Sequence, residues 1–307
     1  MSSAIGTIAE ELIYNRIIQK IQFTQAQAGG RKGVCTADHV FIVRSIIAIA
    51  KKQKRNIIIT FYDVVKAYDR ADTDDIMYSI SKSGVKGKLW RLTRAMNEGL
   101  TAHVNTKAGP TRQIQRETGG KQGGKLIVPL FAKMMDNLVE DMECNPDLGV
   151  QFSDVIIRAL LYVDDAITIA EGYDQQELTL NEASEFAVKH KFSWGPKKCR
   201  TMEIGSHKEE RSSWKLGDHE ISKCDSYKYL GDYITRDGKN AENLKERGEK
   251  AKAVVRTIIT CCKSEIMAKI GVTTMIRLHE AETIPTLLYN AETWTLTATE
   301  KKIARSG

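Results

Sequence analysis

Residues 159–170, ALLYVDDAITIA, constrain this chain more than any other stretch. Nearly every position is apolar or β-branched, the pattern of a strand buried on both faces, yet the centre carries two adjacent carboxylates, Asp164 and Asp165. Two arrangements accommodate them. The aspartates can form the tip of a hairpin, where Asp is a favoured turn residue and water solvates the charge. Alternatively they hold a metal ion, because adjacent carboxylates repel each other and a divalent cation relieves that repulsion. The rest of the chain decides between the two.

With 307 residues the chain can bury a sizeable core and is expected to form two or more lobes. No apolar run is long enough to cross a membrane and residues 1–20 lack a signal-peptide pattern, so the expectation is a soluble intracellular protein, nuclear or cytoplasmic. The formal charge of +7, with lysine and arginine in short clusters such as Lys51 to Arg55, favours a polyanionic partner. Cysteines at 35, 144, 199, 224, 261 and 262 form no CxxC pair and read as reduced, mostly buried thiols. The six histidines show no ligand spacing either, so any metal site rests on carboxylates.

Along the chain, Ile5, Ile8, Leu12, Ile17 and Ile21 recur at helical spacing within residues 3–22, and QAGGRKGVCT reads as an irregular basic loop. Thr36 can cap a second helix with Val40, Val43, Ile47 and Ala50 on its inner face. NIIITFYD, 56–63, is a buried strand ending on Asp63, followed by a helix with the acidic start DTDD. A helix over 86–99, a hairpin around Lys107–Pro110, the glycine-rich GGKQGG and a helix over 126–143 lead to the opening stretch, read as strand-turn-strand. A helix near 174–190 and short strands around 199–205, 214–221 and 227–234 come next, then a helical segment, 240–298, with Leu244, Ala251, Val254, Ile258, Cys262 and Ile266 apolar.

Strand, helix, strand-turn-strand, helix, strand is the split βαβ arrangement, an antiparallel sheet with helices on one face. In that topology the end of the 57–63 strand can lie beside the 162–166 turn, which brings Asp63 to Asp164 and Asp165. Three carboxylates without histidine suit Mg²⁺, and paired metal ions about 3.5–4 Å apart are a standard device for in-line phosphoryl transfer.

These residues carry a resemblance. FYDVVKAYD at 61–69, GGKQGGKLIVPL at 119–130, YVDD at 162–165, WGPKKC at 194–199 and YKYLGDYI at 227–234 follow the order of the palm motifs of reverse transcriptases. QAGGRKGVCTAD at 27–38 resembles the fingers motif of the non-LTR (LINE-type) retrotransposon branch, and PTLLYNAETWTLT at 285–297 is similar to the segment after its thumb. The resemblance implies an α+β right-hand polymerase: partial fingers at 1–55, a split βαβ (ferredoxin-like) palm at 56–236 with a fingers-like insert at 75–118, and a helical thumb with its following segment at 237–307.

It also implies roles. Asp63, Asp164 and Asp165 would bind two Mg²⁺, with Mn²⁺ as a substitute, and the Val64 carbonyl would complete the nucleotide-side ion. Tyr68 would be the aromatic gate under the sugar, excluding a 2′-hydroxyl; Gln122 and Gly123 would pack under the incoming nucleotide; Lys198 would lie near the pyrophosphate. Arg31 and Lys32 would face template or nucleotide phosphates, and Tyr229, Leu230 and Gly231 would form the primer-grip hairpin. Lys245, Arg247, Lys250 and Lys252 could follow a duplex backbone. The implied partners are an RNA template, a DNA primer and dNTPs, with no membrane.

Departures are visible too. The family usually has Phe where Gly30 stands, Arg at Val34, and Asp or Cys at Gly124, and its first fingers motif would precede Met1. Two alternatives therefore stand beside an active polymerase domain. One is a catalytically poor retroelement remnant that binds nucleic acid through its basic surface. The other is a different palm-fold enzyme such as a nucleotide cyclase, which the Gln122 loop and thumb-like tail argue against.

Overall fold

Strand β1 (Ile57–Tyr62) is buried at all six positions, as its unbroken apolar and β-branched run requires. It is the hub of a six-stranded sheet with β2 (Ala159–Tyr162), β3 (Asp165–Glu171), β4 (Arg200–Ile204), β5 (Ser213–Leu216) and β6 (His219–Lys223), in the order β5-β6-β4-β1-β3-β2. β1 is antiparallel to both neighbours, and its register sets Tyr62 opposite Ala166 on β3. Strands β4-β1-β3-β2 have the split βαβ order expected from the sequence. This computed structural model describes residues 4–99, 101–102, 105–107, 109–115, 124–205, 211–262 and 271–306.

Contacts divide the chain into two units, Met1–Cys35 with Lys54–Cys224, and Thr36–Gln53 with Asp225–Gly307. The first holds the sheet. Its helix-covered face is set by alternation: Ile58 and Tyr62 join the core, while Thr60 between them accepts a 2.7 Å hydrogen bond from the buried Gln176 amide. Helix Ile127–Glu143 presses Leu130, Phe131, Met134, Met135 and Leu138 into that core, and helix Gly172–Lys189 adds Leu180, Ala183 and Phe186. Each of the leucine, methionine and phenylalanine side chains contributes about 1.5–3 kcal/mol by leaving water. Asp72 caps helix Thr73–Lys82, accepting from the Asp74 and Asp75 amides at 2.8 and 3.3 Å.

In the second unit helix Thr36–Gln53 and helix Ala241–Cys262 both pack on strand Asp232–Thr235 of the hairpin Ser226–Tyr229/Asp232–Thr235. Val40, Val43, Ile47 and Ala50 are buried as expected. Its centre is charged. Asp232, without solvent exposure, lies 2.9 Å from Arg44 and 3.9 Å from Arg247, and its carboxylate accepts a 3.2 Å bond from the Trp294 indole. This explains why helix 36–53 groups with residues 225–307 and not with the preceding segment: Arg44 also donates to the Tyr233 carbonyl, and His39 meets the Tyr229 hydroxyl at 3.3 Å. The units thus change between Cys35 and Thr36, between Gln53 and Lys54, and between Cys224 and Asp225.

Other expectations are corrected. Helix Ala4–Ile17 buries Glu10, Ile13 and Ile17, whereas Ile5, Ile8 and Leu12 are exposed. The stretch 214–221 is a hairpin and not a single strand, turning at Gly217–Asp218, and 227–234 is likewise a hairpin, turning at Leu230–Gly231. Among the described residues no cysteine is in a disulfide, but Cys35, Cys144 and Cys261 are exposed and only Cys199 is buried. No helix among the described residues is long and apolar enough to cross a membrane.

Candidate active site

The hairpin β2–β3 turns at Val163–Asp164, with Tyr162 opposite Asp165. Asp63 follows β1 one residue beyond the Tyr62–Ala166 pair, so it emerges beside the strand that begins with Asp165. The topology thus brings together three carboxylates from positions about a hundred residues apart. Asp164 and Asp165 stand at a hairpin tip, but both are half-buried and water does not solvate them freely. Burial raises the Asp164 pKa, with Asp63 adding to the rise, and Asp165 is pushed up to about 6 by burial, then by the charges of Asp164 and Asp63.

Segment 193–199 builds the other wall. Ser193–Gly195 anneals antiparallel to Asp63–Val65: the Val65 amide donates to the Ser193 carbonyl at 3.0 Å and the Gly195 amide to the Asp63 carbonyl at 2.7 Å. Those two bonds flank Val64 and do not use its own carbonyl. Trp194 anchors the strip, its indole donating to the Ala183 carbonyl at 2.8 Å and its ring 4.8 Å from that of Tyr62. A Cβ at Gly195 would stand 3.1 Å from Asp63 Oδ2, so the glycine permits the approach. The Lys198 and Cys199 amides then donate to the Gly195 carbonyl, and this turn carries the Lys198 ammonium to Asp63 Oδ1 at 3.0 Å.

The donors at this site are all oxygen and suit a hard divalent ion. As placed, Asp63 faces Lys198, and among the described residues no group of three His, Cys, Asp or Glu side chains is close enough to hold a metal ion. The Asp165 carboxyl is nonetheless raised by burial and then by the charges of Asp164 and Asp63, a cost of ionisation that a divalent cation would relieve. Lys198, 72% exposed along its side chain, is a loosely held counter-charge in the same place.

Burial and repulsion together make Asp165 a source of pH-dependent stability. An unfolded aspartate deprotonates near 3.8, whereas Asp165 keeps its proton to about 6. Between those values the folded state binds the extra proton, so this group removes stability as the pH rises through the window, and above it the loss is complete. Asp165→Asn should therefore stabilise the metal-free protein at pH 7.5 by about 1–3 kcal/mol in chelator, with the gain shrinking towards pH 4. Denaturant titration at the two pH values measures it; equal stability of variant and parent at pH 7.5 would show that burial and neighbouring charge do not raise the Asp165 carboxyl.

Tyr68 is half-buried, its ring 5.5 Å from Phe131, and burial followed by the charges of Asp164 and Asp165 pushes its hydroxyl up to about 12. The expected gate thus stands within the electrostatic reach of the carboxylates. Gln122 and Gly123 lie outside the described residues. Lys32 is exposed, whereas one nitrogen of Arg31 donates to the carbonyls of Thr24, Gln25 and Gln27 and staples its own loop. Tyr229, Leu230 and Gly231 occupy the hairpin of the second unit, Leu230 and Gly231 with positive φ at its tip. Arg247 is buried there, on Asp232, and is not exposed for a duplex backbone; Lys245, Lys250 and Lys252 are exposed.

Two residues that the sequence reading passes over also shape the site. Gly195 is one. Gln27 is the other, with its side chain inserted behind the Val163 turn.

Comparison with known proteins gives a consistent picture. The profile of the family "Reverse transcriptase (RNA-dependent DNA polymerase)" matches residues 4–234. The Pol polyprotein of the type-1 retrotransposable element R2 from Popillia japonica is 21% identical over 207 residues, covering 67% of this chain and 29% of that protein. The R2 polyprotein of Nasonia vitripennis is 22% identical over 205 residues, covering 64% and 20%. The chain thus spans less than a third of the length of these curated relatives. Among solved structures, apo telomerase from Candida tropicalis superposes with a TM-score of 0.52 at 14% identity, over 97% of this chain and 51% of that one. Telomerase from Candida albicans, solved with a TWJ fragment of telomeric RNA, gives 0.51 at 11%, over 97% and 52%. At these identities the structures speak for a shared fold alone.

Proposed function

Because the chain belongs to the reverse transcriptase (RNA-dependent DNA polymerase) family, we propose that it carries the polymerase centre of a non-LTR retroelement, adding deoxynucleotides to a primer 3′-hydroxyl on an RNA template. The observation that carries this reading is the strand register that sets Asp63, at the end of β1, beside Asp164 and Asp165 in the β2–β3 turn, where burial and then neighbouring carboxylate charge raise the pKa of Asp164 and Asp165.

In this reading Asp63 and Asp164, with Asp165 and the Val64 carbonyl, are the ligands of two divalent ions, Mg²⁺ by donor chemistry. When bound, the ions activate the attacking hydroxyl and neutralise charge on the phosphates. Lys198 leaves Asp63 and offers its ammonium to the pyrophosphate, where charge accumulates as the bond breaks. Tyr68 closes the sugar pocket against a 2′-hydroxyl. Gln122 and Gly123 are assigned to the nucleotide, Arg31 and Lys32 to phosphates, and Tyr229, Leu230 and Gly231 to the primer. The fingers, palm and thumb boundaries at 55 and 236 belong to the same proposal, as does an intracellular site of action.

Template direction separates this reading from the alternatives. Purified chain is given a primer on an RNA template, Mg²⁺ and one dNTP at a time. Only the complementary nucleotide should be added. Indiscriminate or template-free consumption of nucleotide would point to another palm-fold enzyme, and binding without any addition would point to the remnant, whose affinity falls steeply with salt.

A further inference from the structure

We infer that Gln27 is the residue that positions the carboxylate turn, clamping it from the basic loop; the inference rests on the polymerase reading for its consequence but not for its geometry. The Gln27 side chain is wholly buried, and both ends of its amide are engaged. Oε1 accepts from the Val163 amide at 3.1 Å and from the Gly29 amide at 2.9 Å, while Nε2 donates to the Ala132 carbonyl at 3.1 Å. Two donors on the oxygen and one acceptor on the nitrogen allow only one orientation of the group.

Val163 needs such a clamp. It is β-branched yet sits at φ +61°, a region that L residues with branched side chains avoid, immediately before Asp164. A strained residue persists only where its surroundings over-determine it. Here they do so three times. The Leu161 amide donates to the Ala26 carbonyl and the Ala28 amide to the Leu161 carbonyl, both at 2.8 Å, so segment 26–28 runs beside β2 towards the turn. Thr24, just upstream, donates from its amide and hydroxyl to the fully buried Asp136 at 2.9 and 2.6 Å. Finally, Gly29 lies so close to the turn that a Cβ would meet the Val163 nitrogen at 2.4 Å.

Without the Gln27 amide, Val163 has an unpaired buried N–H and a conformation with nothing to hold it. It relaxes, and Asp164 and Asp165 rotate away from Asp63. Gln27 therefore acts through the turn and touches neither nucleotide nor metal. Because Arg31 of the same loop bonds the Gln27 carbonyl, the clamp also ties the basic loop to the carboxylates.

The test uses the full chain carrying Gln27→Met, which keeps length and volume but removes the polar ends, and Gly29→Ala, which presses on the same contact from the loop. Hydrogen exchange reads the clamp directly: the Val163 amide should exchange about tenfold faster or more in Gln27→Met, with Ile167 and Ile169 unchanged. Titration with Mn²⁺ alone should show affinity lowered about tenfold or more in both variants. Single-turnover dNTP addition should slow by a similar factor at saturating dNTP, with primer–template affinity within about twofold. Unchanged Val163 exchange and Mn²⁺ affinity in Gln27→Met would overturn the inference. If the parent chain adds no nucleotide while exchange and Mn²⁺ binding shift as stated, the polymerase reading fails and the clamp stands.

Discussion

Replacing Asp164 with Asn is expected to reduce single-turnover dNTP addition by at least about a thousandfold while leaving primer–template affinity within about twofold. The size follows from what the substitution takes away. Asn keeps the shape and one oxygen but not the charge, and in the two-metal reading each carboxylate both places an ion and balances its charge. Affinity, by contrast, comes from many phosphate contacts spread over basic residues, so one carboxylate hardly affects it. Rapid-quench kinetics give the rate, and a binding titration at fixed salt gives the affinity. Persistent turnover in Asp164→Asn would remove Asp164 from the chemistry; a large loss of affinity would mean that the turn is a binding element.

The second large effect is on stability. Asp232 is fully buried between Arg44 and Arg247, whose side chains are 11% and 7% exposed. Asp232→Ala strands two buried guanidinium groups without a counter-charge and removes the acceptor of the Trp294 indole. Breaking a buried pair from one side costs about 3–5 kcal/mol, far more than loss of a surface pair. Urea unfolding followed by Trp294 fluorescence should show the second unit losing that much, with the sheet-bearing unit unaffected in its own transition. A change below about 1 kcal/mol would show that water reaches the cluster and screens it.

The carboxylate trio was legible in the sequence because each member breaks a pattern: an acid at the end of an apolar strand, and two acids inside an apolar run. The register did the rest, since β1 antiparallel to β3 leaves Asp63 little choice but to emerge beside Asp165. Gln27 left no such mark. A polar residue in a glycine-bearing loop reads as solvated, and the partner that buries it, Val163, is 136 residues away. The available signal was local: small residues at Ala26, Ala28, Gly29 and Gly30 allow close approach of a backbone, and close approach needs a polar group to satisfy it.

Arg247 was misread for a related reason. Asn243, Arg247 and Ala251 are spaced four apart and form the buried stripe of helix 241–262, with Asn243 bonding both backbone groups of Tyr233. Hydrophobic periodicity places polar residues outside, so a helix that docks on a hairpin through hydrogen bonds is turned the wrong way by that rule. Ile5, Ile8 and Leu12 show the reverse: helical spacing marks them as a stripe, yet they are exposed while the helix buries Glu10 and Ile13. Glu10 does so because its carboxylate accepts from the Leu126 amide at 3.1 Å, a partner that helical spacing does not reveal.

In the proposed function Asp63, Asp164 and Asp165 form a divalent-metal centre for template-directed phosphoryl transfer. The most direct measurement is a Mg²⁺ titration of single complementary dNTP addition on an RNA template, run on the parent chain and on Asp63→Asn. The account predicts a rate that rises with Mg²⁺ in the parent, vanishes with chelator, and stays at background in the variant at every concentration. Addition that proceeds without Mg²⁺ or another divalent ion, or that survives Asp63→Asn at the parental rate, would contradict it.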